Sequence, residues 1–207
     1  MAIIIGYLVG SIPTAYLAGR RAIGKDIREE GDRNPGAGNV YVSIGPRAGL
    51  MVGAVDIGKG VAAVLLAKFV IVGGGNGLAM AAGAAAVAGH TWPIFMKLRG
   101  GRGAATTVGV YCALFPIPAL PLSLACLALL PFVRSATLVL AIIMAPTPLL
   151  VWLSGYPAYV TIFTIFLPMG VGVRHHLTSR SHVEELQLPP GELQVEENML
   201  SDGKQHW

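Results

Sequence analysis

The chain is 207 residues long, with 54% hydrophobic and only 13% charged residues, and its mean hydropathy is +0.63. That balance excludes an ordinary soluble domain, in which about a quarter of the residues are charged. The net charge of +4 is accounted for by orientation in a membrane and attraction to anionic lipid headgroups, so no nucleic acid partner is required.

Seven transmembrane helices of an all-α integral membrane bundle are predicted, at about 2–19, 48–72, 78–96, 104–115, 117–133, 136–153 and 157–173. A straight span needs roughly 20 apolar residues. Residues 2–19 lack a basic leader and resemble the later segments, so they are read as a retained span rather than a signal peptide. Segment 104–115 is the shortest, with Pro116 and Pro118 just after it. A five-span alternative makes 104–133 one re-entrant unit.

The loop charges test this partition independently. Arg20, Arg21, Lys25, Arg28, Arg33 and Arg47 fall in 20–47, Lys97, Arg99 and Arg102 in 97–103, Arg134 in the turn 134–135, and Arg174, Arg180 and Lys204 in the tail. The turns at 73–77, 116 and 154–156 hold no cation. Such alternation predicts an N-terminus outside and a C-terminus in the cytoplasm. One membrane domain is expected over 1–180, followed by a polar, weakly ordered tail over 181–207 that carries Glu184, Glu185, Glu192, Glu196, Glu197 and Asp202.

Small residues fill the spans, as in Ala79 to Gly89, and favour close helix approach. Cys112 and Cys126 lie in apolar segments without a CxxC pattern and read as small buried hydrophobes. In the first cytoplasmic loop, Gly31-Asp-Arg-Asn-Pro-Gly-Ala-Gly-Asn39 is rich in turn formers. It reads either as an ordinary loop with a helix N-cap, which composition alone favours, or as a wrap around an anionic headgroup.

Asp56 and Lys59 share one helix face of the second span. Two readings stay open: a mutual structural ion pair, or Lys59 aimed at a bound phosphate with Asp56 holding the neighbouring loops. His90 is placed at the cytoplasmic end of the third span, with no second histidine at a metal-ligand spacing. Trp92 and Phe95 read as interface anchors. Arg174, His175 and His176 sit where the last span leaves the membrane, and the adjacent histidines point to different faces, so no metal site is expected.

The densest signal is Arg99-Gly-Gly-Arg-Gly103. Anchoring by positive charge needs no glycines, whereas a phosphate site uses both: guanidinium forks for charge, and Gly100, Gly101 and Gly103 to bring backbone N–H groups close. A helix starting near Ala104 directs its N-terminal amides to the same place. The G-x-x-x-x-G-K-[ST] pattern is absent, so nucleotide hydrolysis is not supported.

Taken together, Gly10-Ser-Ile-Pro13, Asn34, Gly36-Ala37, Asn39, Asp56-x-x-Lys59-Gly60, Gly89-His90-x-Trp92-Pro93-x-Phe95, Arg99 to Gly103 with Ala105-Thr106, Gly155-Tyr-Pro157 and Arg174-His175 resemble the acyl-phosphate:glycerol-3-phosphate acyltransferases, the PlsY-type family of bacterial phospholipid biosynthesis. The resemblance implies a multi-pass protein of the bacterial plasma (inner) membrane. Its implied reaction carries an acyl group from acyl phosphate to the 1-hydroxyl of glycerol 3-phosphate, giving lysophosphatidic acid and phosphate, with no cofactor or metal.

By the same resemblance His90 and Asn39 are the catalytic candidates, and Asn34, Gly36, Lys59, Arg99, Gly100, Gly101, Arg102, Gly103 and Arg174 bind substrate phosphate. The chain departs from the family pattern where Asp32 stands for Ser, Arg33 for Gly, Gly38 for Thr and Val42 for Arg. Arg99 and Arg102 stand for lysines, and Thr178 is nearest in place to an Asn. The departures at Asp32, Gly38 and Val42 motivate a second reading, a catalytically impaired lipid- or phosphate-binding protein on the same scaffold. A small transporter is a third and weaker reading, since no repeat or discontinuous helix pair is found.

Overall fold

Proline and glycine punctuate the helices of the computed structural model, which describes residues 1–70, 75–129 and 144–187. Helix α1 (Ala2–Gly10) stops before Pro13, and α2 (Thr14–Ile23) resumes after it, since proline has no N–H for the helix ladder. α2 ends at Gly24, whose φ of 71° is the left-handed cap that glycine adopts without strain. After the first loop come α3 (Ala37–Ser43) and α4 (Pro46–Leu65), the latter with proline at its first turn and continued by a π-helical segment, Leu66–Val70.

α5 (Asn76–Thr91) leads through the second loop to α6 (Ala104–Leu114). Phe115 separates it from α7 (Pro116–Leu129). α8 (Thr147–Leu153) and α9 (Ala158–Gln187) complete the described chain, which has no strand. Two compact units are present, 1–172 and the part beginning at Val173.

Among the described residues, three helical stretches are long and apolar enough to cross a membrane, Ala2–Ile23, Pro46–Val70 and Asn76–Met96, and three shorter ones are apolar, Ala104–Leu114, Pro116–Ala125 and Ala158–Arg174. These six overlap six of the seven expected spans, of which 48–72 and 117–133 run past the described residues. The other, 136–153, is described only from Met144, and the Arg134 turn and the tail beyond 187 lie outside the described residues. Ile3, Leu50, Phe69, Trp152 and Phe166 point their apolar surface outward, as lipid-facing side chains do.

Small residues set the packing. α1 and α5 lie so close that a Cβ on Gly10 would fall on the Ala86 carbonyl, and one on Gly89 would fall on the Tyr7 carbonyl. Gly6 meets Ala82 and Gly10 meets Ala86, so the two helices run parallel and their C-terminal ends come together. Tyr7 reinforces this junction by donating its hydroxyl to the Trp92 carbonyl at 2.7 Å. Deeper in the bundle, Tyr111 donates to the Thr164 carbonyl at 2.9 Å, and Phe115 packs on the rings of Tyr111 and Tyr156.

Candidate active site

Because α1 and α5 end side by side, the Ser11–Pro13 break, His90 and the second loop are brought to one place. There the chain forms a small open hollow, of about 20 Å³, lined by Ile12, Thr14, Lys59, His90, Arg99 and the Gly100–Gly101 turn, among others. Most of its polar groups are already engaged. Lys59 Nζ donates to Asp56 Oδ1 at 2.6 Å, to the Ile12 carbonyl at 2.6 Å and to Thr14 Oγ1 at 3.0 Å. Thr14 Oγ1 in turn donates to Asp56 Oδ1 at 2.6 Å, and His90 Nδ1 stands 3.7 Å from the same oxygen. A buried carboxylate is thus compensated on several sides, as burial of charge requires.

The Lys59 ammonium is held by the protein itself. Its three N–H bonds all have partners within the protein, and the structural ion pair with Asp56 is what the helix spacing produces. Thr14 and the Ile12 carbonyl were missed in the sequence. Their signal was Pro13: a helix break inside a span frees carbonyls that need a donor.

The first two glycines of the second loop are also engaged within the chain. The Gly100 amide donates to the Thr91 carbonyl and the Gly101 amide to the His90 carbonyl, both at 3.1 Å. They satisfy carbonyls that the end of α5 leaves without intrahelical donors. Close approach is what demands glycine here. A Cβ on Gly100 would collide with the His90 carbonyl, and one on Gly101 with His90 Nε2. Gly103 has φ 84° at the start of α6, a left-handed position that favours glycine.

In the first loop Asn39 is buried and saturated. Its Nδ2 donates to the carbonyls of Ile27 at 3.0 Å and Glu30 at 2.9 Å, while Oδ1 accepts from the Asp32 amide at 3.2 Å and Ser43 Oγ at 3.0 Å. With both donors and the carbonyl oxygen taken, Asn39 ties the first loop together. Asn34 is buried, its amide donates to Asp32 Oδ1 at 3.1 Å, and its carbonyl accepts from the Gly36 amide at 2.8 Å, just before α3.

The two loops meet. A Cβ on Gly101 would lie 3.0 Å from the Pro35 carbonyl, and Arg102 Nη1 stands 3.3 Å from Asp32 Oδ2. Asp26 and Arg28 form a second junction that the sequence did not single out. Arg28 Nη2 donates to Asp26 Oδ2 at 2.6 Å and Nη1 to the Met96 carbonyl at 3.4 Å. Hydrogen bonds from the Arg28 guanidinium hold the Asp26 carboxyl below its ordinary value, against burial that pushes it up.

Arg99 is exposed at the mouth of the hollow. Arg174 stands in the C-terminal unit. Arg33, Lys97 and Leu98 adopt positive φ of 57°, 52° and 61°, so the backbone strain of non-glycine left-handed residues gathers in these two loops. Among the described residues no group of three or more His, Cys, Asp or Glu side chains is placed to hold a metal ion.

Comparison with known proteins agrees with this architecture. Residues 1–184 match the family described as Glycerol-3-phosphate acyltransferase. Glycerol-3-phosphate acyltransferase 1 of Dehalococcoides mccartyi is 35% identical over 190 residues, covering 89% of this chain and 91% of that protein. Glycerol-3-phosphate acyltransferase 2 of Moorella thermoacetica is 41% identical over 164 residues, covering 79% and 83%.

Among solved structures, PlsY (YgiH), an integral membrane glycerol 3-phosphate acyltransferase in its glycerol 3-phosphate form, superposes with a TM-score of 0.76 at 29% identity, covering 94% of this chain and 96% of that one. Its lysophosphatidic acid form gives 0.70 over 89% of each. A shared sequence over nearly the whole length and a shared helical architecture lead to one conclusion: the chain is an integral membrane protein that belongs to the glycerol-3-phosphate acyltransferase family.

Proposed function

We propose that the chain acylates glycerol 3-phosphate at its 1-hydroxyl, using acyl phosphate as donor. In the reaction the hydroxyl oxygen attacks the acyl carbonyl carbon and a carboxylic ester bond forms. The bond from that carbon to the phosphate oxygen breaks, and inorganic phosphate leaves with the electron pair while the hydroxyl proton is given up. Acyl phosphate already carries a good leaving group, so positioning and charge stabilisation supply most of the required rate enhancement.

The observation that carries this reading is the convergence of His90, Arg99, the Gly100–Gly101 turn and Lys59, paired with Asp56, on one hollow, in a chain whose relatives are named glycerol-3-phosphate acyltransferases. Arg99 and Arg102 hold phosphate groups by their guanidinium forks. His90, braced between Asp56 and Gly101, orients the attacking hydroxyl. Lys59 and Asn39 act through the backbone they fix. The hollow opens toward the cytoplasm, with the N-terminus outside, in the bacterial inner membrane.

The test is purified protein in detergent with acyl phosphate and glycerol 3-phosphate, followed by phosphate release and lysophosphatidic acid formation. Turnover is expected, and Arg102→Ala is expected to abolish it. An unchanged rate in that variant removes the site assignment. Binding of acyl phosphate without product, whatever the acceptor, establishes the silent binder instead.

A further inference from the structure

The pairing of Asp32 with Arg102 places a carboxylate where the proposed reaction needs an anion to bind. Asp32 Oδ2 lies 3.3 Å from Arg102 Nη1, longer than the roughly 2.7–2.9 Å of a well-formed charge-assisted bond. The Arg102 side chain is 15% exposed and the Asp32 side chain 48%, so the cation is mostly buried while its partner stands largely in solvent. Arg102 Nε is buried with no hydrogen-bond partner. Arg102 is therefore a fork with one prong loosely occupied and another empty, and a phosphate with three acceptor oxygens is better matched to it than this single carboxylate oxygen.

We infer that Asp32 is an internal counter-ion that occupies Arg102 in the empty site and competes with the incoming substrate phosphate, so that it sets the affinity of the site for glycerol 3-phosphate. This deepens the proposed function and rests on it for the identity of the ligand. Until substrate arrives, the carboxylate neutralises a largely buried guanidinium, which otherwise stands uncompensated. When phosphate binds, the carboxylate swings toward solvent, a motion that its exposure permits. Part of the binding free energy is spent on that displacement and on the nearby negative charge.

The local structure permits a clean experiment. The Asp32 backbone amide is anchored by Asn39 Oδ1 at 3.2 Å, and Asp32 Oδ1 accepts from the Asn34 amide at 3.1 Å. An Asp32→Asn side chain keeps that acceptor and loses only the charge, while Asp32→Ser shortens the side chain and retains an oxygen near the Asn34 amide. Calorimetric titration of the full-length protein in detergent with inorganic phosphate and with glycerol 3-phosphate needs no turnover.

Both variants are expected to bind each ligand about five- to tenfold more tightly than wild type, the scale of one partly exposed charge interaction plus removal of its repulsion. The gain is expected to disappear in an Arg102→Ala background. Where turnover is present, KM for glycerol 3-phosphate falls by a similar factor and kcat changes less. Unchanged or weaker binding in Asp32→Asn overturns the inference and makes the pair a simple latch between the loops. Tighter binding without any acyl transfer leaves the counter-ion role standing and removes the enzymatic reading instead.

Discussion

The Lys59 ammonium lies 2.6 Å from the carbonyl oxygen of Ile12, so a cation from the middle of α4 closes the break between α1 and α2. The same Nζ holds Asp56, and both side chains are buried, at 3% and 1% exposure. Removing one member of such a pair leaves the other charge uncompensated and typically costs ~3–5 kcal/mol. Lys59→Met is expected to destabilise the protein on that scale, read as a lowered Tm in detergent. Asp56→Asn combined with Lys59→Met is expected to cost less than the sum of the two singles, because no lone charge remains. Strict additivity of the two would remove the coupling argued for them.

The turn against His90 makes an equally specific prediction about glycine. At Gly100 an added Cβ would strike the His90 and Thr91 carbonyls and the Pro93 ring, all part of fixed backbone. Gly100→Ala is expected to lower stability by about 1–3 kcal/mol, as overpacking does, and to remove acyl transfer. Gly58, inside α4, has nothing within 4 Å of the Cβ position. There Gly→Ala is expected to be neutral or to stabilise by ~0.5–1 kcal/mol through helix propensity. Paired Tm and activity measurements decide it, and equal behaviour of the two variants contradicts the contact.

How far the sequence discloses the site depends on sequence distance. The spans are legible because hydropathy is local, and the Asp56–Lys59 pair is legible because helical geometry fixes residues three apart. Pairings between loops are not. Arg102 with Asp32 and Arg28 with Met96 join the two loops, and α1 and α5 end together because Gly10 and Gly89 meet backbone across the interface. Composition marks those glycines as small but does not say what they touch. For the same reason the hydrogen bonds of the Gly100 and Gly101 amides to the last carbonyls of α5 are not visible in the sequence.

Asp26 gives the first loop a defined response to acid. Its carboxyl is held below the ordinary value chiefly by hydrogen bonds from Arg28, so the folded state binds fewer protons than the unfolded chain. The stabilisation is fully present above the unfolded value near 3.9 and is lost as pH falls through the lower, folded value. Asp26→Asn is expected to flatten this acid-side loss, seen as a smaller drop in Tm between about pH 5 and pH 3. Identical acid profiles for the variant and wild type contradict this linkage.

Asn39 distinguishes a residue that builds a loop from one that touches substrate. Asn39→Ala frees two carbonyls, the Asp32 amide and the Ser43 hydroxyl at once. A buried polar group left without its partner costs about 1–3 kcal/mol, and the loss falls on the segment between Asp26 and Gly36 rather than on the spans. Trypsin cleavage after Arg28 and Arg33 is expected to accelerate in this variant, and KM for glycerol 3-phosphate to rise more than kcat falls. Asn39→Asp keeps the oxygen that accepts from Asp32 and Ser43 but loses both N–H donors and sets a negative charge against two carbonyl oxygens, so it is expected to loosen the loop as well. A variant whose loop stays protected from trypsin while kcat collapses instead assigns Asn39 to the reacting groups, and the positioning role fails.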